Sequence, residues 1–199
     1  TDVTVAKNLL LYRYHRLDEA RRLAAEKGFF GAKYPWTSTA TGADVTPPDW
    51  ERCANRQIHI SGDIAYAFYN YYLQTDDWNF LSAYGIEVIV ETAKFYASRA
   101  EKGADGLYHF LNVIGPDEYN IHADDNYYTN HLAAWNIQKA VDLMDLAYKR
   151  APEDYKRLSE QTSWSDALRE SLLEVVTHMA YPQTRDSVNE QYHGFFAQR

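Results

Sequence analysis

Residues 60–73, ISGDIAYAFYNYYL, carry the apolar spacing that decides the fold class. Ile64, Ala67, Phe68 and Tyr71 recur at steps of three and four residues, which places them on one face of an α-helix. Similar spacing predicts helices at about residues 5–27, 60–73, 79–100, 124–150 and 153–180. The fold class is therefore all-α, with a short strand or hairpin predicted in residues 102–120.

Glycine, aspartate and proline are predicted to set the ends of these helices. Gly28 is suited to end the first helix, since glycine readily adopts the left-handed conformation that follows a helix. Asp124 or Asp125 is expected to cap the fourth helix, and Pro182 to end the last. Long loops are expected at residues 29–57 and 112–125, and the tail 187–199 is expected to be a loop.

Composition excludes several classes of function. The 199 residues carry a formal charge of −8 and no basic run, which argues against nucleic acid as a partner. No run approaches the roughly 18 apolar residues of a membrane span, and the first residues lack a signal-peptide pattern. The single cysteine, Cys53, excludes an internal disulfide and fits a reducing compartment, so a cytoplasmic location is expected.

The loop 112–130, NVIGPDEYNIHADDNYYTN, is the first candidate site. Gly115-Pro116 makes a bend that would present Asp117 and Glu118, and a carboxyl crowded by like charges and aromatic rings should keep its proton at higher pH. A general acid for glycosidic cleavage needs that property. The alternative is an acidic turn with a helix cap. Calcium and zinc sites are disfavoured because the acidic and histidine spacings do not match, so no metal is expected.

Two further segments carry candidate binding residues. In residues 31–42, GAKYPWTSTATG, Trp36 offers a flat aromatic face on which a sugar ring can stack, although a buried anchor for the loop is equally possible. In residues 57–72, QIHISGDIAYAFYNYY, His59, Ser61 and Asp63 fall just before or within the first helical turn, where Asp63 suits the helix dipole. The alternative is a simple cap with a loop histidine.

Six motifs occur in the order and spacing of one family: GAKYPW, IHISGDIAYA, ETAKFYASR, VIGPDEYN, DDNYYTN and EQYHGFF. The chain resembles the glycoside-hydrolase family of maltose, kojibiose, nigerose and trehalose phosphorylases. The resemblance implies an (α/α)6 barrel with long site-bearing loops, of which residues 1–199 would form roughly the first half. It also implies that the family's N-terminal β-sandwich and the rest of the barrel are not present in this chain.

The resemblance also implies roles for individual residues. Glu118 matches the general acid of the family's G-P-D-E motif. Trp36 matches a tryptophan at the acceptor side of the cleft, with Thr37 beside it. Substrate-binding positions are further implied for Ser61, His59 and Tyr119.

The implied activity is cleavage of an α-linked glucose disaccharide with inversion, most simply by phosphorolysis to glucose 1-phosphate and a sugar. Inorganic phosphate would be a co-substrate, no cofactor is expected, and the full-length protein is expected to form a homodimer. Two alternatives stay open: a hydrolase of the same family, resembling trehalases or kojibiose hydrolases, and a non-catalytic helical sugar-binding module. A degenerate relative would usually lose the acid, whereas Glu118 is present.

Overall fold

The computed structural model describes residues 2–46 and 55–198. Its described helices confirm the predicted all-α class. They are α1 (Val3–Tyr14), α2 (Leu17–Glu26), α3 (His59–Thr75), α4 (Trp78–Phe80), α5 (Ile86–Arg99), α6 (Tyr127–Arg150), α7 (Pro152–Thr162) and α8 (Asp166–Thr177). A π-helical segment, Leu81–Gly85, joins α4 to α5. Part of the predicted loop at residues 29–57, including Cys53, lies outside the described residues.

Two antiparallel hairpins lie among the described helices. Strands β1 (Glu101–Lys102) and β2 (Tyr108–His109) form the hairpin that the sequence predicts. Strands β3 (Thr184–Arg185) and β4 (Val188–Asn189) form a second one. The prediction of an all-loop tail was therefore wrong, because this hairpin and a 3-10 turn at Phe195–Ala197 order the last residues.

Two predicted long helices are each broken in two. The first breaks between α1 and α2, yet Leu10 and Leu17 on either side are both buried, so the apolar spacing runs across the break. The last breaks at Ser163, whose φ of 53° ends α7. Ser165 then caps α8 through the backbone N–H of Leu168. That helix ends at Thr177, so Pro182 does not end it.

The predicted cap of α6 was also wrong. Asn126 caps it, with its side-chain oxygen accepting from the Thr129 N–H at 3.1 Å. Asp124 and Asp125 instead accept backbone N–H groups from Asn112 and Phe110, earlier in the chain. The prediction for Gly28 is confirmed, since its φ of 81° lies in the left-handed region just after α2.

The core forms where α6 packs against α3, α5, α7 and α8. Tyr128 contacts Asp63 at one end of α3 and α6, and Trp135 contacts Tyr69 further along, so the two helices run parallel. Their N-terminal ends therefore meet. A Cβ on Gly62 would lie 2.7 Å from the Leu132 side chain, so glycine allows this close approach. Among the described residues, no helix is long and apolar enough to cross a membrane.

Candidate functional site

The segment 113–123, here named the acid loop, projects from a closed neck. Val113 and Ala123 exchange backbone hydrogen bonds of 2.8 and 2.9 Å across that neck. Just outside it, Asp124 Oδ1 accepts from the Asn112 N–H at 2.7 Å. These bonds fix both ends of the loop, so the residues between them are presented together beside the start of α6.

Glu118 lies on the acid loop with an exposed side chain. Its Oε1 accepts a hydrogen bond of 2.8 Å from Nε2 of Gln57, whose own side chain is buried. Gln57 belongs to the segment that leads into α3, so this bond joins two regions of the chain that the sequence treats as separate motifs. The carboxyl is therefore held by a neutral amide while it remains open to solvent.

The other acidic residues of this region are each bound elsewhere. Asp117 accepts from Gln191, from the Tyr119 N–H and from Asn120. These three bonds lower the pKa of Asp117. The sequence suggested that like charges crowd the carboxyls of this loop. In the structure, Asp117 is instead surrounded by its own hydrogen-bond donors.

Asp125 anchors the base of the acid loop. It is buried and adopts a left-handed φ of 49°. It accepts from the Phe110 N–H and from Asn130, and its Oδ2 lies 2.7 Å from Nδ1 of His109. His109 Nε2 also contacts Asp105. Burial disfavours the charged form of His109, but the bonds to Asp125 and Asp105 outweigh it and raise its pKa.

The start of α3 carries a second polar group. His59 Nδ1 and Asp63 Oδ2 share a hydrogen bond of 2.8 Å, and His59 is buried. Tyr128, at the start of α6, donates to Asp63 Oδ1 at 2.6 Å. Burial, followed by this bond to a carboxylate, raises the pKa of Tyr128. Asp63 is therefore a shared acceptor between the two helix starts.

Trp36 borders a groove of about 340 Å³ between α1 and α3. The residue is 38% exposed, more than a fully buried loop anchor would be. The groove is lined by Leu9, Leu10, Arg13, Trp36, Ile60, Asp63, Ile64 and Ala67. Trp36 and Asp63 thus face the same groove, with an apolar floor and one carboxylate at its edge.

The remaining candidate residues fall in different surroundings. Tyr119 is 98% exposed, on the acid loop next to Glu118. Thr37 is exposed, and its carbonyl accepts from the Val45 N–H. Ser61 is 0% exposed, and its Oγ accepts from the Tyr34 N–H at 3.0 Å. Its hydroxyl therefore secures the loop that carries Trp36 and does not face an open groove.

Two functional candidates were missed by sequence reasoning. Gln57 is the first residue of the segment 57–72 but carries no charge, so nothing in the sequence pairs it with Glu118. Tyr128 belongs to the quoted DDNYYTN stretch, but nothing in the sequence indicates that its hydroxyl binds Asp63. Among the residues that the structure describes, no group of three or more His, Cys, Asp or Glu side chains could hold a metal ion.

A family model, the glycosyl hydrolase family 65 central catalytic domain, matches residues 1–199. The chain belongs to this family. That finding confirms the resemblance carried by the six motifs and places the chain in a family of glycoside-cleaving enzymes.

Individual relatives agree with this assignment. A kojibiose phosphorylase of Thermoanaerobacter brockii is 40% identical over 96% of this chain and 26% of its own length. A kojibiose hydrolase of Flavobacterium johnsoniae is 38% identical over 79% of this chain and 23% of its own. The chain thus spans about a quarter of the length of these relatives.

A solved structure, provisionally named as a kojibiose phosphorylase and obtained from the human microbiome, superimposes with a TM-score of 0.88 at 28% identity. The match covers 99% of this chain and 28% of that one. The fold is therefore that of the family's (α/α)6 barrel, as the sequence motifs implied.

Proposed function

We propose that the enzyme carrying this chain cleaves an α-linked glucose disaccharide with inversion, by phosphorolysis to glucose 1-phosphate and a free sugar. The observation that supports this most directly is the placement of Glu118. It stands exposed on a loop with a closed neck, and its carboxyl is bound by a buried amide. A general acid needs such a fixed and accessible position.

In the proposed reaction, protonated Glu118 donates its proton to the glycosidic oxygen. The bond from the anomeric carbon to that oxygen breaks through an oxocarbenium-like state, and inorganic phosphate attacks the carbon from the opposite face. Phosphate is already an anion, so it needs no protein base. Glu118 ends the step as a carboxylate and is protonated again from solvent.

We assign the Trp36 groove to the acceptor sugar. An exposed indole face stacks on the apolar face of a sugar ring, and the Asp63 carboxylate can accept from a sugar hydroxyl. Thr37 and Tyr119 would supply hydroxyls at the rim. His59 orients Asp63 from behind, because it shares a hydrogen bond with that carboxylate.

We assign Ser61 to holding the loop that carries Trp36, since its hydroxyl accepts from the Tyr34 N–H. We further propose that this chain forms roughly the first half of the barrel, and that the donor glucose and phosphate are bound by other parts of the enzyme.

Hydrolysis is the second candidate, because a kojibiose hydrolase is among the similar proteins. In that reaction water replaces phosphate, and a second carboxylate about 6.5–9.5 Å from the acid must activate it. A non-catalytic sugar-binding module is less well supported, since such a module has no need of an exposed, oriented carboxyl at Glu118.

The test uses the whole enzyme with Glu118→Gln, which keeps the side-chain shape but has no proton to transfer. We expect the loss of most activity on maltose, kojibiose or trehalose, and a smaller loss on a glucosyl fluoride, whose leaving group needs little acid assistance. Glu160→Gln on the exposed face of α7 is the matched control and should behave as wild type.

Assays with and without phosphate separate the two candidate reactions. Phosphate-dependent release of glucose 1-phosphate supports phosphorolysis, whereas release of glucose without phosphate supports hydrolysis. Full activity of Glu118→Gln on every disaccharide would contradict both.

A further inference from the structure

Two consecutive residues, Arg56 and Gln57, contact the acid loop both at its neck and at its carboxyl. The Arg56 carbonyl accepts from the Ile114 N–H at 3.1 Å, and its guanidinium Nη1 donates to the Ile121 carbonyl at 3.0 Å. Gln57 Nε2 donates to Glu118 Oε1 at 2.8 Å. The first two contacts lie near the neck of the loop and the third reaches its carboxyl, so the loop is held at its base and at its functional group.

The donor of the third contact is itself fixed. Gln57 is 4% exposed and Ile58 is 2% exposed. The Ile58 carbonyl accepts from the hydroxyl of Tyr96, which is fully buried in the core. The Gln57 side chain is therefore held in place by its surroundings. Its amide can hold the Glu118 carboxyl in one orientation.

The amide of Gln57 also has an unused acceptor. Its Oε1 is buried and has no hydrogen-bond partner among the described residues. In the observed orientation the amide N–H donates to Oε1 of the Glu118 carboxyl. After a half-turn of the amide, Oε1 would accept from the O–H of a protonated Glu118. One neutral side chain can thus bind this carboxyl before and after the proton leaves.

We propose that Gln57 is a positioning residue that aims Glu118 and stabilises its carboxylate as the proton passes to the glycosidic oxygen. The proposal rests on the proposed function of Glu118 as the general acid. Gln57 neither gains nor loses a proton in the step. The proton moves from Glu118 to the leaving oxygen, and the Gln57 N–H then binds the oxygen that carries the new negative charge.

Several charged and titratable groups around the acid loop are bound to other partners, whereas the Tyr119 side chain beside Glu118 is 98% exposed. Asp117 is bound by Gln191 and Asn120, and the guanidinium of Arg56 contacts the ring of His122 at the neck. From the tail, the Tyr192 hydroxyl donates to Asn120. A change in the pH dependence of the reaction on substitution of Gln57 would therefore report its contact with Glu118.

The experiment compares Gln57→Met and Gln57→Glu in the whole enzyme, using the disaccharide it turns over best and a glucosyl fluoride. Gln138→Met is the matched control, because Gln138 makes the same kind of 2.8 Å amide-to-carboxylate bond, to Asp142 within α6. Thermal melting of each variant shows whether it is folded.

For Gln57→Met we expect kcat/KM on the disaccharide to fall by about tenfold to a hundredfold, the range for a lost hydrogen bond to a charged group. The loss on the fluoride should be below about threefold, because that reaction needs little acid help. The alkaline limb of the pH–rate profile should move to higher pH, since the ionised acid has lost its donor.

For Gln57→Glu we expect a larger displacement of that limb, by more than about one pH unit, because two adjacent carboxyls share a proton. If Gln57→Met does not fold, this variant carries the test together with Gln57→Asn, which keeps the amide but shortens its reach.

Equal losses on both substrates, with a pH profile that matches Gln138→Met, would overturn the role of Gln57. The proposed function has a separate failure, which is full activity of Glu118→Gln. If Glu118→Gln is inactive and the Gln57 variants keep wild-type activity and pH dependence, only the positioning role is rejected.

Discussion

The two loops of the candidate site are held in place by different physical means. The acid loop is closed by backbone hydrogen bonds at its neck and is held by polar side chains around it. The loop that carries Trp36 is buried, since Ala32, Lys33 and Tyr34 are each at most 2% exposed, and its backbone N–H groups donate to groups on the packed helices. Polar pairing makes the orientation of the first loop sensitive to charge, whereas the position of the second depends on packing.

The largest expected effect is therefore in the packed loop. Tyr34→Ala removes a fully buried ring and should lower the free energy of unfolding by about 3–5 kcal/mol. Tyr34→Phe removes only the hydroxyl that donates to the Arg13 carbonyl, at a cost of about 1 kcal/mol. Thermal melting of the whole enzyme measures both. Equal melting temperatures for the two variants would show that burial does not hold this loop.

A substitution of Lys33, in the same loop, is expected to raise the free energy of unfolding. Burial lowers the pKa of Lys33 to about 8, although Asp44 opposes the shift. Below about pH 8 the lysine is charged in both folded and unfolded states, so its burial penalty is fully present. Replacing it by methionine keeps the apolar stem and should stabilise the protein by up to about 3 kcal/mol at pH 7.

The stabilisation by Lys33→Met should shrink as pH rises from about 8 towards 10.5, because the folded protein then holds the lysine neutral. Melting temperatures at pH 7 and at about pH 10 measure the difference. A gain that does not change with pH would mean that charge burial is not its cause.

Trp36 is expected to affect binding more than stability, since the residue is 38% exposed. Trp36→Ala should weaken acceptor binding by about 1–3 kcal/mol and leave donor binding nearly unchanged. Trp36→Phe, which restores a stacking face, should recover most of the loss. A fall in melting temperature with unchanged acceptor affinity would instead make Trp36 a packing residue.

Sequence reasoning located most of the fold because local signals and packing agreed there. The periodicity of residues 60–73 predicted α3 to within two residues at each end. It failed at the break before α2, since Leu10 and Leu17 keep helical spacing while the chain turns between them. Apolar periodicity reports which side chains are buried, and it does not report that the backbone hydrogen bonds continue.

The site was predicted as three separate motifs, but their connections could not be. Gln57 reaches Glu118 across 61 positions, and Tyr128 reaches Asp63 across 65. The same long-range pairing explains the wrong cap of α6, because Asp125 binds the Phe110 N–H and leaves the cap to Asn126. Residue type indicated which groups are polar, and only tertiary structure decided their partners.

The smallest expected effect concerns the polar base of the acid loop. Because the pKa of His109 is raised in the folded protein, its contacts with Asp125 and Asp105 stabilise the fold fully below the unfolded pKa of about 6.5. That contribution is lost as pH rises through the higher folded value. The melting temperature of the wild type should therefore fall slightly more between pH 6 and pH 8 than that of His109→Gln, which cannot be protonated. The difference should be modest, since Asp125 keeps its bonds to the Phe110 N–H and Asn130 in both proteins. An equal change in melting temperature between pH 6 and pH 8 for the two proteins would show that backbone pairing at the neck holds the acid loop without the histidine.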